Sequence, residues 1–504
     1  MKKFLPLAVL IALVPLAVSQ AQQTEQTLTI AVNADLPVVD PVLANQGITY
    51  RPSSQVLEGL VFRTPKDNRI IPRLASSWRQ IDPTTWRFEL LQNVRFADGT
   101  PFNAAAVKFS LERFINPDTR APNAFTLKSL KEVRVVDDNT VDLILNFPYA
   151  PILANLAIFN PVIYSPTAFQ KYGAEYIKYP SGTGAYKFVE YSPGNRVVLE
   201  RNDLWRGKKP TIARIIFRVI PDEVTQIAEL KSGRVQLSQS VTPNILREFA
   251  KSEEFTIVRR TSFATSYLGF NTAEGVTKDV RVRQAIARAV NRDAIVNQLL
   301  EGLAVRGEAL LPDIVFGASR NIPPIVFNIE ESKRLLAAAG VQAGTRLKLL
   351  STNSSTDLRI AQAVQFNLQQ VGLTVDIVSS DFASYRAALQ KPGYGELFLN
   401  SDGPTSLDAD FALTQYFDSK EIPLNNYTRY NNPTVDRLLT QARSDTNSGR
   451  RKLAYEQIQQ QLARDLPLFT LYFPVGAYVK SNRLQGEQNY WHASYISYLN
   501  ASLR

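Results

Sequence analysis

One histidine, His492 beside Trp491, is the single imidazole this sequence offers for acid–base or nucleophilic chemistry. A serine triad would have to recruit it, yet no Gly-x-Ser-x-Gly elbow is present. A histidine-based metal site needs several such side chains, and neither H-E-x-x-H nor any cysteine occurs. The phosphate-cradling G-x-x-x-x-G-K-[ST] string is absent too. Paired-carboxylate glycoside chemistry stays open on counting alone, since 46 acids are available, but nothing marks a pair. His492 therefore reads as a surface or packing residue. Anion binding has one local candidate. Asn353-Ser354-Ser355 sits between a predicted strand and a predicted helix, where backbone N–H groups can aim at a carboxylate. Arg359 just inside that helix could pair with the same anion, or simply face solvent.

Those residues must be positioned by a chain of 504 residues, enough for two or three domains with real cores. Its start reads as a secretory signal over residues 1–21. Lys2 and Lys3 precede the apolar run Phe4 to Val18, then Ser19-Gln20-Ala21 supplies a small-x-small cleavage site. A membrane anchor is the competing reading, but the run falls short of the roughly 20 residues a bilayer span needs. Zero cysteine excludes disulfides and fits an oxidising compartment. The formal net charge is +11. Its densest clusters, Arg259-Arg260 and Arg450-Arg451-Lys452, do not extend into the aromatic-interleaved stripe of a nucleic-acid binder and read as solvated faces. A mildly basic body favours anionic solutes.

Strand and helix signals alternate along the chain. Leu28 to Val32 is an apolar strand, and Thr85 to Leu90 alternates with Trp86, Phe88 and Leu90 on one face. Asn103 caps a helix through Val107, Leu111 and Phe114, and Asp222 opens one that Gly233 stops. Tyr186 to Glu200 reads as a hairpin around Ser192-Pro193-Gly194-Asn195, with Gly182 and Gly184 supplying a positive-φ turn before it. Val280 to Leu300 is predicted as one helix with its arginines solvated. Helices are also expected at 330–339, 359–370, 433–442 and 448–463, with strands at 346–350 and 466–472. This is a mixed α/β pattern.

The string Ser181-Gly182-Thr183-Gly184-Ala185-Tyr186 through Trp205-Arg206-Gly207-Lys208-Lys209-Pro210 resembles the signature of the family-5 extracellular solute-binding proteins of bacterial ABC importers. Trp86 to Val107, Tyr267 to Asp293 and Tyr430 to Leu439 resemble further family segments in the same order. Leu91, Asn93 and Ala106 stand where the family usually has Arg, Gly and Asp. The resemblance implies a type II periplasmic-binding-protein-like α/β fold: two lobes of mixed sheets, an extra inserted domain and a hinge-closing cleft. Domain I would comprise 22–52, 180–266 and 485–504, domain II 53–179 and domain III 267–484. The implied protein is a non-catalytic, monomeric periplasmic receptor without cofactor or metal. It would capture a short peptide or peptide-like solute and deliver it to membrane permease subunits. Without cysteine it cannot carry the lipid anchor common in the family. Alternatives are a receptor for a sugar, opine or metal chelate, or, from another class, a secreted hydrolase.

The resemblance also implies where the ligand's amine is held. Two alignments compete across Leu397 to Leu413: one matches Asp408-Ala409-Asp410-Phe411 to an E-A-D-W run, the other places Asp402 at the end of a G-W-x-x-D run. The family's tryptophan is missing from this loop either way. Asp402, Asp408 and Asp410 are thus candidate anchors, or caps of turns and helices. Thr49 and Tyr50 lie where the family's first domain faces its cleft. One charge-assisted hydrogen bond contributes about 1.5–3 kcal/mol, whereas micromolar affinity needs about 8. Enclosure must supply the remainder.

Overall fold

Leu28, Ile30, Ala31 and Val32 are completely buried in β1 (Gln26–Val32), the first strand of a twelve-stranded sheet. The computed structural model describes residues 25–35, 40–44, 47–64, 67–239, 241–489 and 495–504. The predicted leader and His492 lie outside them. After β1 comes α1 (Gly47–Val56). A separate four-stranded antiparallel sheet follows, made of β2 (Ala75–Asp82), β3 (Thr85–Leu90), β4 (Leu130–Asp137) and β5 (Thr140–Leu145) in the order β2-β3-β5-β4. The helix α2 (Ala104–Ile115) packs on it with Val107, Leu111 and Phe114 buried, and its Asn103 cap accepts from the Ala106 N–H.

The chain then rejoins the large sheet through the hairpin β6 (Tyr186–Ser192) and β7 (Arg196–Arg201), followed by β8 (Ile212–Val219). β8 runs parallel to β1, and after α3 (Glu223–Lys231) the short β9 (Leu237–Ser238) flanks β1 on the other side, also parallel. The carboxyl ends of three parallel strands therefore share one edge. The glycines before the hairpin act differently from the sequence expectation. Neither Gly182 nor Gly184 has positive φ. A Cβ on Gly182 would instead lie 2.2 Å from the Val56 carbonyl, and one on Gly184 2.5 Å from that of Gln55. The signature string is small there because it lies against the end of α1.

Next come β10 (Phe255–Thr261), β11 (Thr265–Phe270) and α4 (Val280–Ala289), then β12 (Ala304–Arg306), β13 (Arg346–Thr352), α5 (Ser355–Gln369), β14 (Thr374–Ser380) and β15 (Leu397–Asp402). After α6 (Ala409–Phe417), α7 (Pro433–Ser444) and α8 (Ser448–Asp465), the 14-residue β16 (Leu468–Ser481) closes the sheet. Its main path runs β14-β13-β15-β11-β16-β9-β1-β8-β7-β6, with β10 and β12 pairing β16 off that path. β16 bridges the two halves: Leu468 to Tyr472 pair with β11, while Val475 to Ser481 pair with β10 and β9.

Two sequence expectations change here. The predicted helix from Val280 to Leu300 is interrupted, because Val290 is extended and the Asn291 side chain caps a new turn by accepting from the Ala294 N–H. Its arginines are not all solvated. Arg283 is 5% exposed and donates to the carbonyls of Thr277, Lys278, Asp465 and Leu466, and Arg292 is 4% exposed and meets Glu308. Arg451, expected on a solvated face, is buried at 7% against Asp408. Helical spacing does not say which polar side faces a neighbouring carbonyl or carboxylate.

Candidate functional site

The acidic loop begins where β15 ends. Asp402 pairs with Thr265 of β11, and its Oδ1 accepts from the Gly403 N–H at 2.8 Å. It is half-buried and makes no ion pair among the described residues. Burial pushes its carboxyl above the ordinary aspartate value, against the pull of the Gly403 N–H, the Tyr416 hydroxyl and the Arg386 guanidinium. Tyr267, Phe398, Tyr416 and Tyr427 share one apolar cluster around it. A Cβ on Gly403 would lie 2.5 Å from the Phe263 carbonyl, so glycine lets this loop follow the β10–β11 junction.

Asp408 and Asp410 do other work. Asp408 caps α6 by accepting from the Asp410 N–H, and both its oxygens accept from Arg451 Nη2 at 2.8 Å. Asp410 is 2% exposed and accepts from Tyr149 at 3.0 Å and from Thr414 at 3.1 Å, with Arg443 at 3.4 Å. The Ala150 N–H donates to the Arg443 carbonyl, and Arg63 donates to that of Ser406. These contacts tie the part of the chain carrying the four-stranded sheet to α6 and α7. A cavity of about 900 Å³ opens beside them, with Asp408 and Arg451 on its wall. Two more pairs line it, Arg320 with Asp313 and Arg69 with Asp67, while Arg63 donates to the Asn68 and Ser406 carbonyls. Each oxygen of both aspartates already accepts a hydrogen bond from a group of the fold.

Across the sheet, α1 carries Thr49 and Tyr50. Thr49 is buried and its Oγ1 has no partner. The Tyr50 hydroxyl accepts from Asn160 Nδ2 at 3.0 Å, and its ring lies 5.7 Å from that of Phe159, which packs 4.0 Å from Tyr495. Tyr495, Phe159 and Phe62 join the same apolar cluster as the tyrosines around Asp402, so the two walls are continuous. The sequence reading passed over Arg51, the next residue. Its Nη2 donates to the Gln239 carbonyl at 3.2 Å, while its Nε and Nη1 are shielded from solvent and unpartnered. Arginine directly after the Thr-Tyr pair was the available signal.

Asn353, Ser355 and Arg359 are solvent-exposed at the start of α5. Ser354 caps that helix by accepting from the Asp357 N–H, and the Asn353 N–H donates to the Ser380 carbonyl at 2.9 Å. Since β13 and β15 are parallel, this loop lies on the same sheet edge as Asp402.

Residues 69–423 match the family described as bacterial extracellular solute-binding proteins, family 5. The chain belongs to that family. The glutathione-binding protein GsiB of Pectobacterium atrosepticum is 30% identical over 447 residues, covering 87% of each chain. Among solved structures, HbpA2 from Haemophilus parasuis superimposes with a TM-score of 0.86 at 25% identity, covering 95% of this chain and all of that one. The agropinic-acid complex of AgaA from A. tumefaciens gives 0.78 at 26% identity, covering 95% and 99%. A family-5 chain is the solute-binding subunit of an ABC importer, built on the type II periplasmic-binding-protein fold that the sheet order here displays. Among the described residues no helix is long and apolar enough to cross a membrane.

Proposed function

We propose that this family-5 protein is a non-catalytic periplasmic receptor that captures a short peptide or peptide-like solute, of which a glutathione-sized tripeptide is one form. The observation carrying the reading is Asp402. It is a half-buried carboxylate without an ion pair among the described residues, at the end of β15, where the chain passes against the β10–β11 junction. A ligand ammonium placed there would compensate its desolvation. Tyr267, Tyr416 and Tyr427 would wall the adjoining side chain, replacing the tryptophan of other family members. In this reading the protein acts as a monomer after removal of residues 1–21. Residues 22–52, 180–266 and the C-terminal tail form domain I, 53–179 domain II, and the chain from 267 domain III. We place the boundary before the tail inside β16 near Pro474, because the strand changes partners there. The lobes would turn about β16 and the β10–β11 junction.

Mass spectrometry of whatever co-purifies, followed by calorimetry with dipeptides and reduced glutathione, tests this. A bound peptide and loss of its binding in Asp402→Asn are expected. An opine or metal chelate in that spectrum would keep the receptor and replace the ligand class. Turnover of a peptide or glycan would remove the receptor.

A further inference from the structure

Arg51 is a half-buried cation, its Nε and Nη1 shielded from solvent, without a counter-ion among the described residues. Arg113, Arg292, Arg443 and Arg451 are largely buried, and each faces a carboxylate, while buried Arg63 and Arg283 direct donors to two or more backbone carbonyls each. Arg51 faces no carboxylate among the described residues; its one hydrogen bond goes to the Gln239 carbonyl. Burial pushes its guanidinium down to about 10, with the Tyr498 phenol acting the other way. The side-chain Oε1 of Gln239, the residue it bonds, also lacks a partner. Among the described residues, Arg51 Nε and Nη1 and Gln239 Oε1 are left without a partner.

The place is informative. Gln239 directly follows β9, so Arg51 reaches the edge where parallel β1, β8 and β9 present their carboxyl ends. Ligands of open α/β sheets bind outside that edge. The Tyr50 and Phe159 rings flank the same helix. An arginine with unused N–H groups suits a carboxylate better than any other ligand group.

We propose that Arg51 holds the carboxylate of the bound solute. This rests on the receptor reading above. It gives the solute a charge requirement at each end: an ammonium for Asp402 and an acid for Arg51. It also makes the unliganded protein carry an uncompensated charge that the solute neutralises.

Calorimetry with Ala-Phe, Ala-Phe amide, reduced glutathione and its diethyl ester tests the assignment, alongside thermal melts without ligand. The wild type is expected to bind an acid about 10–100-fold tighter than its neutral derivative. Arg51→Gln should erase that preference by weakening the acid alone, and Arg51→Lys should restore part of it. Unliganded Arg51→Gln should melt no lower than wild type, because a partly buried unpaired charge has been removed. A variant that still prefers the acid overturns the assignment and leaves the receptor standing. A lower unliganded melting temperature, with both forms weakened equally, makes Arg51 structural and also overturns it. A wild type that binds none of the four probes removes the peptide reading and the assignment with it.

Discussion

The Tyr149 hydroxyl donates to Asp410 Oδ2 at 3.0 Å, joining residues 261 positions apart in the chain. With Asn155 donating to Tyr149 and Arg443 beside Asp410, the bond is a buried latch between the four-stranded-sheet region and α6. Tyr149→Phe keeps the ring and removes one bond to a charged acceptor, so a loss of about 1.5–3 kcal/mol is expected in chemical denaturation. Small-angle scattering should show the variant more expanded without ligand. An unchanged profile would mean that the remaining contacts hold the two parts together unaided.

Asp402 should make ligand affinity pH-dependent. Its carboxyl stands above the ordinary aspartate value of about 3.9 through burial. An ammonium requires the ionised form, so binding releases a proton, and affinity falls as pH drops through the raised value. For unliganded stability the sign reverses. The folded state holds the proton more tightly than the unfolded one, so this group's contribution is lost as pH rises from about 3.9 through the raised value. Titrations between pH 4 and 8 should show the affinity change in wild type and not in Asp402→Asn.

Asp408 separates the two candidate anchors. Asp408→Asn weakens a pair that Arg451 makes with both oxygens, so stability should fall by about 3 kcal/mol, the low end for disrupting a buried ion pair. Dipeptide affinity at saturating fold should stay within about threefold of wild type. The reverse pattern, stable protein and lost affinity, would return the amine anchor to Asp408.

Glu58 links α1 to the signature string. Burial raises its carboxyl, but Arg73 and Arg206, with the Thr183 hydroxyl, bring it below the usual glutamate value. A lowered folded pKa contributes stability that is complete above the unfolded value of about 4.3 and lost as pH falls through the folded one. Glu58→Gln should cost about 3 kcal/mol at neutral pH and flatten the acid limb of a stability profile. A variant with an unchanged acid limb would assign that limb to other carboxylates.

Close packing beside Glu58 gives a steric counterpart. Gly182→Ala places a methyl 2.2 Å from the Val56 carbonyl, so α1 must shift, at about 1–3 kcal/mol. Because α1 carries Thr49, Tyr50 and Arg51, dipeptide affinity should fall together with melting temperature. Gly194→Ala, in the open hairpin turn, should lower stability through its φ of 71° and leave affinity unchanged.

What lay within a few residues of itself was legible before any fold was known. Asn103 and Asp222 cap the helices they were expected to cap, because an Ncap side chain and its N–H partner are sequence neighbours. The hairpin at Gly194 and the strand of Leu28 to Val32 follow for the same reason. Whether an aspartate caps, pairs or stands free was not local. Asp408 finds Arg451, Asp410 finds Tyr149, and Asp402 makes no ion pair among the described residues, although all three lie between the end of β15 and the first turn of α6.

The order of residues alone set the mixed α/β class and the string that lies against α1. Chain folding in three dimensions decided which charges are cancelled from within and which, at Asp402 and Arg51, are left over. Electrostatic pairing acts across a few ångströms of space, and a linear sequence holds no record of which distant groups will meet there.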